Sequence, residues 1–98
     1  MDKTIGDMYL AAAYLSYDVS LQRIDRSNQR RLRFVFADKP CTLITISRDG
    51  EVIKEYNQGL DDLETKFVAK TLMFPPSYPE SVRRIKATIH AEDDNDRK

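Results

Sequence analysis

Five arginines, Arg23, Arg26, Arg30, Arg31 and Arg33, fall between Leu21 and Arg33 of this 98-residue chain. Only Asp25 opposes them there, which leaves a local charge of +4. A guanidinium is permanently charged and presents a planar fork of donors. That fork fits a phosphate, or the O6/N7 edge of guanine, through paired hydrogen bonds. The chemistry on offer is recognition of a polyanion, DNA or RNA, and not the making or breaking of bonds. The competing reading is a solvated sheet face, partly neutralised by the chain's own carboxylates, whose charges guard an edge against aggregation. Base-stacking aromatics would be needed on the same face for single-strand recognition. Phe34 and Phe36 alternate to the other side.

The remaining candidates are thinner. Cys41 and His90 are the single cysteine and the single histidine. A nucleophile–base pair is conceivable between them, but a lone cysteine beside a proline is more often packed than reactive. His90 reads as a helix-terminal cation. Asp61, Asp62 and Glu64 could approach a magnesium ion, yet acidic residues in a first helical turn are explained by the helix dipole alone. Gly6, Gly50 and Gly59 are isolated, so there is no glycine-rich phosphate loop. The expectation is a non-enzymatic binding protein with no catalytic residues, metal site, cofactor or small-molecule substrate.

The arginines must be carried by a β-hairpin over Val19 to Phe36. Leu32, Phe34 and Phe36 alternate with Arg31, Arg33 and Val35, the period of a strand with one buried face. Val19 and Leu21 open the first strand in the same period. Arg23 then takes the apolar phase and Ile24 the other, which predicts a bulge or a strand end. Asp25 to Gln29 are turn residues.

Around this hairpin, Thr4 and Asp7 have capping-box spacing ahead of an apolar run, predicting a helix that begins at Thr4. Its stripe of Tyr9, Ala13 and Tyr17 is either core packing or an interface with a partner or a second copy, tyrosine being enriched at interfaces. Thr42 to Ser47 read as a third strand. For Glu51 to Tyr56 the pattern leaves two readings open. One is a fourth strand across an Asp49-Gly50 hairpin turn, towards which it leans; the other is a short helix capped by Asp49. Leu60, Leu63, Phe67, Thr71 and Phe74 predict a helix over 60–74, stopped by Pro75-Pro76. Ser77 and Glu80 cap a last helix bearing Val82, Ile85 and Ile89.

Size and charge bound the rest. Net charge is zero, from 16 basic and 16 acidic residues, so only the distribution of charge argues for a polyanion; residues 67–91 add a second basic segment of +3. One cysteine permits no internal disulfide, no run is apolar enough to span a bilayer, and the N-terminus lacks a signal-peptide pattern. A cytoplasmic setting is expected. The fold class expected is α+β: an N-terminal helix packed on a small antiparallel sheet of three or four strands, with a helical C-terminal half. It forms one domain over 1–91, followed by a disordered charged tail over 92–98.

Thr4-Ile5-Gly6-Asp7-Met8-Tyr9-Leu10-Ala11-Ala12, followed by a hydrophobic strand and Arg33-Phe34-Val35-Phe36, resembles a family of short uncharacterised proteins of phages and prokaryotes. That family joins an acidic-aromatic-Leu-Ala-Ala helix to a hairpin ending in Phe-x-Phe-acidic and a helical C-terminal half. Glu55 to Gly59, Lys66 to Val68 and Ile85 to His90 look like its later landmarks. The resemblance implies a helix over 51–58, hence an order α-β-β-β-α-α-α. The run Cys41 to Ser47 and the Pro75-Pro76 interruption depart from the pattern. The family has no established activity to carry over. Two functions are therefore expected from the residues: nucleic-acid contact through Arg23, Arg26, Arg30, Arg31 and Arg33, or protein binding, as an accessory, inhibitor or homodimer, through Tyr9, Ala13 and Tyr17.

Overall fold

Asp7, not Thr4, starts the first helix. In the computed structural model, which describes residues 2–27 and 31–96 with side chains up to Ile89, helix α1 spans Met8–Ser16. The Asp7 carboxylate accepts the backbone N–H groups of Tyr9 at 2.8 Å and Leu10 at 3.2 Å, donors a first turn otherwise leaves unmet. The capping box expected at Thr4 is corrected, because Asp2–Ile5 is a strand, β1. Asp7→Ala is expected to lower stability by about 1 kcal/mol, and the melting temperature by roughly 4–8 °C, in a thermal unfolding series.

β1 joins β2 (Leu21–Asp25) and β3 (Arg33–Ala37) in an antiparallel sheet of order β1-β3-β2. The slipped alternation is a bulge. Leu21 lies opposite Phe36 and Arg23 opposite Val35, with the register shifting between Leu21 and Arg23. The extra residue returns Ile24, opposite Phe34, to the core face and leaves Arg23 and Asp25 on the outer one. Helix α1 covers the core face, with the Tyr14 ring edge-on to Phe36 at 5.0 Å. Ala11, Ala12 and Ala13 are fully buried. Their small side chains let α3 (Tyr78–Asp96) lie close to α1, with Ile85 buried between them and the core.

A second antiparallel pair is formed by β4 (Cys41–Ile46) and β5 (Val52–Gln58). The Asp49-Gly50 turn joins them, with Gly50 at φ +82°, a conformation glycine adopts without a Cβ penalty. The helix implied over 51–58 is thus corrected to a strand, as the hairpin signal indicates. Helix α2 (Leu60–Val68) buries Leu60 and Leu63. It ends short of the expected residue 74. Lys70 at φ +60° turns the chain so that Leu72 bridges Thr45, on the side of β4 away from β5. The class is α+β, in the order β-α-β-β-β-β-α-α. Helix α3 runs on to Asp96. Neither glycine nor proline interrupts its last turns, and each residue added to an anchored helix gains one hydrogen bond.

Two tyrosines tie these layers together. The Tyr14 hydroxyl, buried, donates to the Leu60 carbonyl at 3.0 Å and so joins α1 to the start of α2. The Tyr17 hydroxyl lies against the Met73 carbonyl, with the Ile44 N–H donating to it at 3.4 Å, and so closes the end of the β4 ladder. Burial raises the pKa of Tyr14 well above the ordinary phenol value of 10, with neighbouring Glu64 and Asp61 adding to it. The folded chain therefore keeps a proton that the unfolded chain releases above about pH 10. Stability is fully present below that pH and falls as pH rises through the alkaline range. Alkaline unfolding monitored by circular dichroism is expected to start above about pH 10, and to depend less steeply on pH in Tyr14→Phe.

Candidate nucleic-acid interface

On the outer face of the first sheet, Arg23 and Arg33 are both exposed and bracket Asp25. Arg33 is directly opposite Asp25 across the ladder, and Arg23 is its neighbour on the same side of β2. Asp25 is also the first residue of the turn: its carboxylate accepts the Ser27 N–H at 2.9 Å. That bond, then the Ser27 hydroxyl, then Arg23 and Arg33 hold its carboxyl below the ordinary range, so it is ionised at neutral pH. Part of the arginine charge on this face is therefore answered from within. Val35 is buried between Thr4 and Arg23, its register partners on either side. The aliphatic stems of arginine suit such a position, covering an apolar side chain while the head stays in water.

The four described arginines of this segment do not form one cluster. Arg31 is exposed just before β3 and follows Arg33 towards the turn. With Arg33, Leu32 and Phe34 it lines an open cleft of about 610 Å³, closed on the other side by Gly6, Met8 and Ile89. Arg26 turns the other way and is half-buried, donating to the Ile89 carbonyl of α3 at 3.1 Å. It anchors the hairpin to the last helix. Arg30 lies outside the described residues. Arg23, Arg31 and Arg33 remain as the exposed basic set on or beside one face, and no aromatic side chain of the sheet shares it.

The expected tyrosine stripe is split. Tyr9 is 51 % exposed, but Ala13 is fully buried and the Tyr17 hydroxyl is engaged as described. The three do not share one surface: α1 is wrapped by sheet and α3, and Tyr9 is the exposed member. The apolar surface that sequence reasoning missed lies largely on the second hairpin, at Ile46, Val52, Ile53 and Tyr56, with Val68 and Phe74 near the end of α2. Val52 and Ile53, side by side between Glu51 and Lys54, read the same whether the strand is covered or not, so the sequence held no signal for it.

The other candidates are placed as structure. The Cys41 thiol contacts the Gln58 carbonyl at 3.5 Å, and burial raises its pKa, the opposite of what a nucleophile needs. The His90 side chain lies outside those described. Asp62 accepts the Gly59 N–H at 3.0 Å at the start of α2, while Lys3 pairs with Asp61 and, at 3.8 Å, with Glu64. These bonds pin β1 to α2. Among the described residues no group of three or more metal-ligating side chains forms, and no helix is long and apolar enough to cross a membrane. Comparison with protein-family models, curated proteins and solved structures returns no match for the chain.

Proposed function

We propose that this chain is a small non-enzymatic binding protein whose first sheet contacts the sugar-phosphate backbone of nucleic acid through Arg23, Arg31 and Arg33. The observation that carries the reading is the exposure of Arg23 and Arg33 on one sheet face, with Arg31 beside them. A twisted ribbon of this kind can lie along a groove and place its guanidinium groups at successive phosphates. Without stacking aromatics, and with Asp25 within the set, the contact is backbone-directed and modest in strength. Fluorescence anisotropy with labelled duplex DNA and duplex RNA, titrated at several salt concentrations, tests it. Binding at low salt that weakens linearly on a log–log plot supports the reading; no binding at low salt removes it.

A second reading, association with protein, is favoured by a separate observation: the exposed apolar side chains of the second hairpin. Exposed apolar residues that stand together mark interaction surfaces, whereas single ones need no explanation. This moves the expected protein contact from the first helix to the far side of the molecule's chain order, on β5.

A further inference from the structure

Open backbone groups and uncovered apolar side chains coincide on the free edge of β5. The Ile46 N–H donates to the Thr71 carbonyl at 2.8 Å, and the Ile44 carbonyl accepts the Met73 N–H at 2.8 Å. Ile44 and Ile46 therefore turn their polar backbone groups towards the 71–73 segment. Such groups alternate sides along a strand, so Leu43 and Thr45 turn theirs towards β5, to Glu55 and Ile53, their register partners. Val52 and Lys54 are left aiming N–H and C=O away from β4, along an edge that no strand among the described residues occupies. Further on, the edge closes itself. The register shifts, Asn57 takes φ +54°, and the Gln58 side chain donates to the Tyr56 carbonyl at 2.9 Å. Beside the short open stretch stand Val52, Ile53 and Tyr56, exposed by 56 %, 40 % and 64 %.

We propose that this edge pairs antiparallel with the same edge of a second copy, about a two-fold axis at Ile53. The inference rests on the second reading above and names its partner and strand. In this register Val52 of each copy faces Lys54 of the other, and each such pair exchanges both of its bonds, so every open group on the stretch is met. Ile53 packs on Ile53 of the second copy. Neighbouring registers are worse. Centring on Lys54 sets two ammonium groups face to face, and centring on Val52 sends Lys54 to the glycine turn. The like charges that the chosen register does bring together are Glu51 and the second copy's Glu55. The latter has Lys66 beside it at 3.9 Å to offset them. Lys54 and the bulge keep the edge short, which limits growth beyond a closed pair.

Sedimentation equilibrium of the full chain, from about 1 to about 200 μM, tests this, with a dimer expected at a dissociation constant on the order of 10 μM for so small a contact. Lys54→Pro removes an N–H that points away from β4, and proline is tolerated on an edge, so the protomer keeps its own ladder. Ile53→Arg places like charges at the axis. Each is expected to weaken the dimer more than about 10-fold with an unchanged circular dichroism spectrum, while Tyr9→Arg leaves it intact. If Lys54→Pro does not fold, Ile53→Arg decides. A dimer that survives the edge variants and is lost in Tyr9→Arg overturns the edge assignment but keeps protein association; a wild-type monomer throughout the range overturns this pairing, and the second reading then requires a partner other than a second copy.

Discussion

Phe34→Ala is expected to cost about 3–5 kcal/mol, the range for removing a large aromatic side chain from a packed core. Phe34 is 2 % exposed, at the centre of the first sheet, with Ile5 and Ile24 beside it in register and the buried face of α1 above. It therefore belongs to β1, β2, β3 and α1 together, and no single element can relax to fill its space. A domain of this size has a total stability of about 5–15 kcal/mol, so the loss consumes about a fifth of it or more. At the lower end of that range the variant is largely unfolded at physiological temperature. Val68→Ala is the control: Val68 is exposed at the end of α2, and surface changes of this kind stay within about 0.5 kcal/mol. Urea titrations of both variants check the pair. A Phe34→Ala midpoint matching the wild type would mean that the sheet face bearing Phe34 is not the core.

The residues that betrayed the fold were those whose local pattern and tertiary role agree. Phe34 and Phe36 alternate because β3 is half-buried, and the displaced phase of Arg23 and Ile24 marks the bulge because a bulge is the one way to return Ile24 to the core. Gly50 at φ +82° and the turn it allows made β5 legible as a strand. The short helix was the other reading the pattern left open there, and the resemblance favoured it. What stayed hidden depends on distant partners. Asp2–Ile5 is a strand only because β3 offers it an edge, and its four residues carry no period of their own. Thr71 and Phe74 continue the helical spacing of α2, yet the helix ends at Val68 and the chain turns at Lys70 so that Leu72 bridges Thr45. The candidate site was legible only in part for the same reason. Charge density picked out the arginines, while the inward turn of Arg26 towards the Ile89 carbonyl requires α3 to be in place.

Replacing Arg23, Arg31 and Arg33 together by glutamine is expected to abolish most nucleic-acid binding while leaving the fold unchanged. Glutamine keeps part of the aliphatic stem, so Val35 stays covered on the outer face, and the substituted positions are exposed. Each lost phosphate contact lowers the slope of log affinity against log salt by about 0.9 on duplex DNA, or roughly 2.7 for the set. Over a change from about 50 to about 200 mM salt, that slope alone corresponds to about a 40-fold difference in wild-type affinity. The triple variant should not show it. Asp25→Asn provides the opposite sign. It removes the carboxylate bracketed by Arg23 and Arg33, and the asparagine oxygen can still accept the Ser27 N–H that shapes the turn. Affinity should therefore rise at low salt, and the gain should shrink as salt screens the face over a Debye length of about 8 Å at physiological ionic strength. Arg26→Gln separates anchoring from binding: it should lower the melting temperature through its lost contact to α3, and change the salt slope little. Wild-type binding that survives the triple substitution with its slope intact would assign the phosphate contacts elsewhere on the chain, beginning with the exposed Arg83, Arg84 and Lys86 of α3.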